Sequence, residues 1–287
     1  MNRFDTISFL SDYGTADEFV GVVKSVIRQL APAVAVIDVT HQVPAYDVRA
    51  GSLTLARAAQ YLAPGVVLAV VDPGVGTKRR AVAVEVGDGA SVLVGPDNGL
   101  LAPAVAMVGG ATRAVELTSV DHQLAAPGPT FAGRDVFAPA AAHLCNGVPL
   151  TDLGPEVDPI TLLPGMIPIT REEDGALAAQ VLWTDHYGNL QLNVDPDEIA
   201  ALGDRLALRF GTKTRTGVRH LTYGDVGAGE IGVIVDSYGL VSLAFDQRSA
   251  AAELDLATGD EVLITALDDD GEPPSASTPV TLGRKAP

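Results

Sequence analysis

The chain has 287 residues, 19 Lys and Arg against 36 Asp and Glu, a formal net charge of −17, one cysteine and 47% hydrophobic residues. That length supports one large or two modest domains, and the acidic balance repels phosphate backbones and anionic head groups, which excludes nucleic-acid and membrane-surface roles. Cys145 alone forms no internal disulfide and no cysteine-based zinc site, and it fits a cytoplasmic protein.

The first residues, Met1 to Thr6, lack the apolar run and small-residue cleavage site of a signal peptide. From Thr6 to about Gly147, β-branched runs alternate with helical patterns, as βαβ units do. Strands are predicted at Thr6–Leu10, Val34–Val39, Val66–Val71, Ala81–Val86 and Ser91–Val94. Glu18–Leu30 carries an apolar stripe at Phe19, Val22, Val23, Val26, Ile27 and Leu30, with Asp17 as its expected N-cap; Asp47–Leu62 and Val136–Leu144 are the other predicted helices. The most apolar stretch, Leu62–Val71, holds Pro64 and Gly65 and falls far short of the roughly 20 residues needed to cross a bilayer.

These elements predict an α/β domain with a mostly parallel sheet over residues 1–150. Pro155, Pro159, Pro164 and Pro168 then mark residues 151–175 as a linker. Beyond it, Ala176–Trp183, Leu190–Val194, Leu206–Phe210, Ile231–Val235, Leu240–Ala244 and Val262–Thr265 read as strands of a smaller β-rich domain, 176–267, either a barrel or a sandwich. Residues 268–287 combine acidic residues with Pro and Ser and read as a flexible tail. No internal repeat is evident.

Four polar clusters sit at strand ends or turns, where an open α/β sheet gathers ligands. Ser11-Asp12-Tyr13-Gly14-Thr15 follows the first strand, and its Asp12 is suited either to a ribose diol or to capping the turn. Asp72-Pro73-Gly74-Val75-Gly76-Thr77-Lys78-Arg79-Arg80 lacks the spacing of a phosphate-binding loop and leaves a carboxylate and a guanidinium placed to pair. Pro129-Thr130-Phe131-Ala132-Gly133-Arg134-Asp135 leads into a helix, and Asp185-His186-Tyr187-Gly188-Asn189 has the form of a hairpin turn. No GxSxG elbow, HExxH or Cys/His metal framework is present.

Taken in order, and together with Asp38-Val39-Thr40-His41, Gly95-Pro96-Asp97-Asn98-Gly99 and Asp236-Ser237-Tyr238-Gly239, the clusters resemble the S-adenosyl-L-methionine hydroxide adenosyltransferase family, which is related to fluorinase and chlorinase. The resemblance spans Phe9 to about Ala252. It implies an α/β N-terminal domain, a barrel-like C-terminal domain, and a homotrimer whose sites lie between neighbouring subunits. S-adenosyl-L-methionine would be substrate, with no cofactor and no metal.

By the same resemblance, Asp12 would hold the ribose hydroxyls, Tyr46 would pack on the substrate, and Thr130 with Phe131 would line the reaction pocket. Asp185 and Ser237, the latter beside Tyr238, would bind the methionyl ammonium and carboxylate. Asn189 would meet the adenine, and the strand end from Phe245 to Gln247 would complete its slot. Asp72, where the halogenases place a tyrosine, and Arg79 point to the hydroxide branch. A carboxylate facing the substrate also repels a bound halide. The histidine that this branch carries between Phe and Gly of the third motif is replaced here by Ala132. The expected activity is therefore slow hydrolysis to adenosine and L-methionine. A halide adenosyltransferase and a catalytically impaired binding protein are the alternatives.

Overall fold

The structure, a computed structural model, describes residues 4–267, so the predicted tail at 268–287 lies outside the described residues. It divides into two compact units between Ile167 and Pro168.

In the first unit a seven-stranded sheet runs in the order β2 (Ala35–Thr40), β1 (Thr6–Ser11), β3 (Val66–Val70), β5 (Ser91–Pro96), β4 (Ala81–Val86), β6 (Ala111–Glu116) and β7 (Glu156–Val157). Its first four strands are mutually parallel, and β4, β6 and β7 add antiparallel pairings. Every residue of β3 is buried because both faces of the sheet are covered. On one face Val66, Leu68 and Val70 meet α1 (Phe19–Leu30) and α4 (Ala138–Cys145); on the other Val67 and Ala69 meet α2 (Val48–Ala59) and α3 (Ala102–Met107). Val23 and Ile27 of α1 are fully buried, each worth about 1.5–3 kcal/mol by transfer.

Several boundaries differ from the sequence reading. Asp17 does not cap α1: Glu18 precedes the helix, already with helical dihedrals (φ −74°, ψ −10°), and makes no side-chain cap bond. Asp47 does cap α2, accepting from the Ala50 amide at 2.8 Å. The helix expected from Val136 instead opens as a π-helical turn over Gly133–Phe137 that runs into α4. Part of the stretch read as a linker is built into the first unit, since Glu156 and Val157 pair with Val115 and Ala114. The thiol of Cys145 is buried in the core, and burial pushes its pKa up to about 12.

The second unit is a closed barrel. Around it run β10 (Leu190–Leu192), β14 (Val241–Ala244), β13 (Ile231–Val235), β12 (Lys213–Arg219), β11 (Arg205–Phe210), β15 (Glu261–Ala266) and β9 (Ala176–Thr184), and β9 pairs back to β10; β8 (Arg171–Glu173) is attached outside on β9. All neighbours in the ring are antiparallel except β12 and β13. Leu192, Leu208, Leu243 and Ile264 fill the interior, and the short helix α5 (Ala250–Leu254) contributes Leu254 to the same core.

Candidate active site

In the first unit the chain passes from β1 through α1 to β2 on one side, then through α2 back to β3 on the other side of β1. The two connections diverge beyond the carboxyl ends of β1 and β3, which opens a crevice there. Asp12 leaves β1 and Asp72 leaves β3, so both carboxylates enter that crevice. They line one cavity of about 320 Å³ together with Tyr13, Phe19, Ala45, Tyr46, Val75, Thr130, Phe131, Ala132 and Gly133.

Asp72 and Arg79 form the ion pair that their spacing suggests. Arg79 Nε donates to Asp72 Oδ1 at 3.0 Å, its Nη2 donates to Oδ2, and its Nη1 donates to the Arg80 carbonyl at 2.8 Å. The side chains are 6% and 12% exposed, and the guanidinium lies 5.4 Å over the Phe137 ring. Burial raises the Asp72 pKa above the usual carboxylate range and the nearby Asp12 charge adds to this, against the lowering effect of Arg79 and the Gly74 amide. A buried carboxylate with a raised pKa is a better proton acceptor than a solvated one.

Asp12 Oδ2 accepts from the Tyr46 amide at 2.9 Å, and its other oxygen has no hydrogen bond among the described residues. Tyr46 has a positive φ of 68° and is 75% exposed, so the Asp12 bond fixes a backbone conformation that non-glycine residues seldom adopt. Ser11 Oγ lies 2.8 Å from His41 Nδ1 in the interior, and Gly14 N donates to the His41 carbonyl at 2.8 Å. These contacts clip the Asp12 loop to the end of β2.

Tyr13 was given no role by sequence reasoning. Its ring meets Phe9, Phe19 and Phe131 at centroid separations of 6.5, 5.7 and 5.7 Å, forming the aromatic wall of the cavity. Burial first, then the Asp12, Asp72 and Asp135 charges, push its hydroxyl pKa upward. That hydroxyl would lie 2.1 Å from a Cβ on Gly133, so the glycine is a packing requirement. Gly133→Ala is expected to cost about 1–3 kcal/mol in urea unfolding. Adding Tyr13→Phe should recover part of the loss, and simple additivity of the two would remove the steric explanation.

The second unit holds a cleft of about 250 Å³ lined by Trp183, Asp185, His186, Tyr187, Asn189, Gln191, Tyr223, Asp236, Ser237, Tyr238 and Ser242. Asp185, Asn189, Ser237 and Tyr238 of the sequence reading are thus brought together. Two turns of one design form the cleft, Asp185-His186-Tyr187-Gly188-Asn189 between β9 and β10, and Asp236-Ser237-Tyr238-Gly239-Leu240 between β13 and β14. In each, Oδ1 of the leading Asp accepts from the amide two residues on, at 2.9 and 2.8 Å, and from the amide four residues on, at 2.8 and 3.3 Å. In each the glycine, at φ 84° or 82°, donates its amide to the Asp carbonyl at 3.0 Å. Asp185 Oδ2 accepts from Asn189 Nδ2 at 2.8 Å, whereas Asp236 Oδ2 accepts from Gln191 Nε2 at 2.6 Å and Ser242 Oγ at 3.0 Å.

Phe245 and Gln247 are not among the residues lining this cleft. The Phe245 ring is buried in the barrel core beneath the Arg248 guanidinium, 5.2 Å from its centroid, and Gln247 sits at φ 51° in the tight turn closed by the Phe245–Arg248 bridge. Tyr223, which sequence reasoning missed, has its pKa raised by burial, with Asp236 and Asp185 adding to it.

The profile of the SAM hydroxide adenosyltransferase N-terminal domain matches residues 7–154, and that of the SAM hydroxide adenosyltransferase C-terminal domain matches residues 179–263. The chain belongs to this family. A Salinispora tropica relative described as (R)-S-adenosyl-L-methionine hydrolase is 48% identical over 260 residues, covering 91% of this chain and 97% of its own. An Actinopolyspora mzabensis fluorinase is 29% identical, over 90% of this chain and 96% of its own. A crystal structure of an uncharacterized conserved protein from Thermotoga maritima superposes with a TM-score of 0.83 at 33% identity, covering 90% of this chain and 99% of that one. This family member is therefore an enzyme. Its two matched domains coincide with the α/β sheet and the closed barrel, the fold class expected from the sequence. Among the described residues no helix is long and apolar enough to cross a membrane.

Proposed function

We propose that the chain hydrolyses S-adenosyl-L-methionine to adenosine and L-methionine, with water attacking the ribose C5′ carbon. The observation that supports this most is the buried Asp72–Arg79 pair, whose carboxylate lines the same cavity as Asp12. The oxygen–C5′ bond forms as the C5′–sulfur bond breaks, the electron pair goes to sulfur, and one water proton is lost. The sulfonium leaves as a neutral thioether, so no general acid is required. What remains is to position the water and accept its proton. Asp72 is the available acceptor, and Arg79 favours developing hydroxide character but stays protonated itself.

In this reading Asp12 holds the ribose hydroxyls, and Tyr46, Thr130 and Phe131 pack around the reacting end. Asp185 and Ser237 take the methionyl group, while Asn189 and the Phe245–Gln247 backbone face the adenine. The working assembly is a homotrimer, each substrate lying between the first unit of one subunit and the second unit of its neighbour. The reaction takes place in the cytoplasm and needs no cofactor.

Ala132 supports a second reading, a protein that binds S-adenosyl-L-methionine without converting it. Incubating the purified chain with S-adenosyl-L-methionine, with and without chloride, and identifying products by chromatography and mass spectrometry tests both. Adenosine and methionine in equal amounts are expected. A 5′-chloro nucleoside would move the chain to halide transfer, and binding without any product would establish the second reading.

A further inference from the structure

The second-unit cleft has an uneven charge. Asp185 and Asp236 place two carboxylates in it, no Lys or Arg lines it, and His186 is the one lining side chain able to carry a positive charge. An α-amino acid end group is a zwitterion and needs acceptors for its ammonium and donors, preferably one charged, for its carboxylate. Two carboxylates with no counter-charge would favour an amine over an amino acid.

The repeated turn locates the counter-charge. His186 and Ser237 directly follow the leading Asp of their turns, so they occupy equivalent places on the two sides of the cleft. In both turns the Asp carboxylate accepts hydrogen bonds that hold the loop and, being an acceptor only, can meet an ammonium but not a carboxylate. The His186 ring nitrogens and the Ser237 hydroxyl, by contrast, make no hydrogen bond among the described residues, and the imidazole rests only on the Tyr187 ring, 5.6 Å between centroids. Each turn thus offers one uncommitted polar side chain, one of them cationic when protonated.

We propose that His186 is a specificity-determining residue that binds the carboxylate of the substrate's amino-acid end, opposite Ser237, and supplies the charge that separates an amino acid from the corresponding amine. The proposal rests on the substrate reading above. It leaves Asp185 and Asp236, with Tyr223 beside them, as the ammonium side of the cleft.

Calorimetric titration of the full chain with S-adenosyl-L-methionine and with its decarboxylated analogue, which keeps the amine, tests it. The parent is expected to bind the carboxylate-bearing ligand about tenfold tighter or more. His186→Ala and His186→Gln should weaken that ligand by about tenfold while changing the analogue less than about twofold, and His186→Arg, which restores a cation, should keep the discrimination. If His186→Gln retains the full preference, or both ligands weaken equally, the assignment of His186 is overturned while the substrate reading stands. A parent chain that binds neither ligand would overturn both.

Discussion

Replacing Ala132 by histidine is expected to raise the rate of adenosine formation by about 10²–10⁴-fold, the usual contribution of a positioned general base. Ala132 lines the same cavity as Asp72 and Asp12, and it immediately precedes the π-helical turn whose first residue, Gly133, packs against Tyr13. An imidazole there would enter open cavity, so overpacking does not offset the gain. The effect should fall on kcat, since the proposed binding contacts are those of Asp12 and of the second-unit cleft and not of position 132, and KM should move little. Steady-state kinetics of both forms, with circular dichroism to verify folding, give the comparison. An unchanged kcat in a folded variant would mean that the assignment of Asp72, Arg79 and a histidine at position 132 to the attacking water is wrong for this chain.

Arg79→Ala is expected to cost about 3–5 kcal/mol of unfolding free energy at neutral pH, because it strands a buried carboxylate without its partner. Asp72 is 6% exposed and receives both of its strongest hydrogen bonds from Arg79. The pH dependence follows from the direction of its shift. Asp72 is already raised by burial in the folded state, so folding favours its protonated form, and the resulting stability is present in acid and lost as pH rises through the raised value. Removing Arg79 takes away the largest influence holding that value down and extends the loss to higher pH. The deficit of the variant should therefore be small near pH 4 and grow toward pH 8 in urea titrations. A deficit independent of pH would mean that Arg79 stabilises through its packing on Phe137 instead. Asp72→Asn combined with Arg79→Ala should be less damaging than Arg79→Ala alone, since no charge is left buried.

Much of the fold was legible because its central strands are apolar runs that end in polar turns: the run from Val66 closes on Asp72, and the run from Thr6 closes on Asp12. The missed strands lack that signature. Lys213–Arg219 carries three cationic side chains and is exposed over its first three residues, and Ala111–Glu116 is half polar, so pairing with β11 and β4 creates them where local pattern does not. The Asp72–Arg79 contact follows from seven-residue spacing across a glycine turn. Tyr13 and Tyr223 could not be found in that way, since only the folded chain places their rings in cavities. The matched turns at Asp185 and Asp236 share only D-x-Y-G, too short to register as a repeat until their hydrogen bonds are compared.

The parallel pair in the barrel is a matter of parity. Around any closed ring of strands the direction must return to its starting value, so reversals between neighbours are even in number. A ring of seven therefore cannot be antiparallel throughout, and here six reversals leave one concordant pair, β12 with β13. A concordant pair admits no hairpin, so the chain leaving Arg219 must travel back along the barrel before β13 begins at Ile231. That departure lies at the same end as the turn after β13, the end opposite to the turn after β9, and the segment it opens carries Tyr223 to the cleft. An added or deleted strand would change the count and remove the need for that return path. The odd number of strands is thus what obliges a further segment of chain, besides the two matched turns, to leave from the end of the barrel that carries the Asp236 turn and to pass the cleft on its way back.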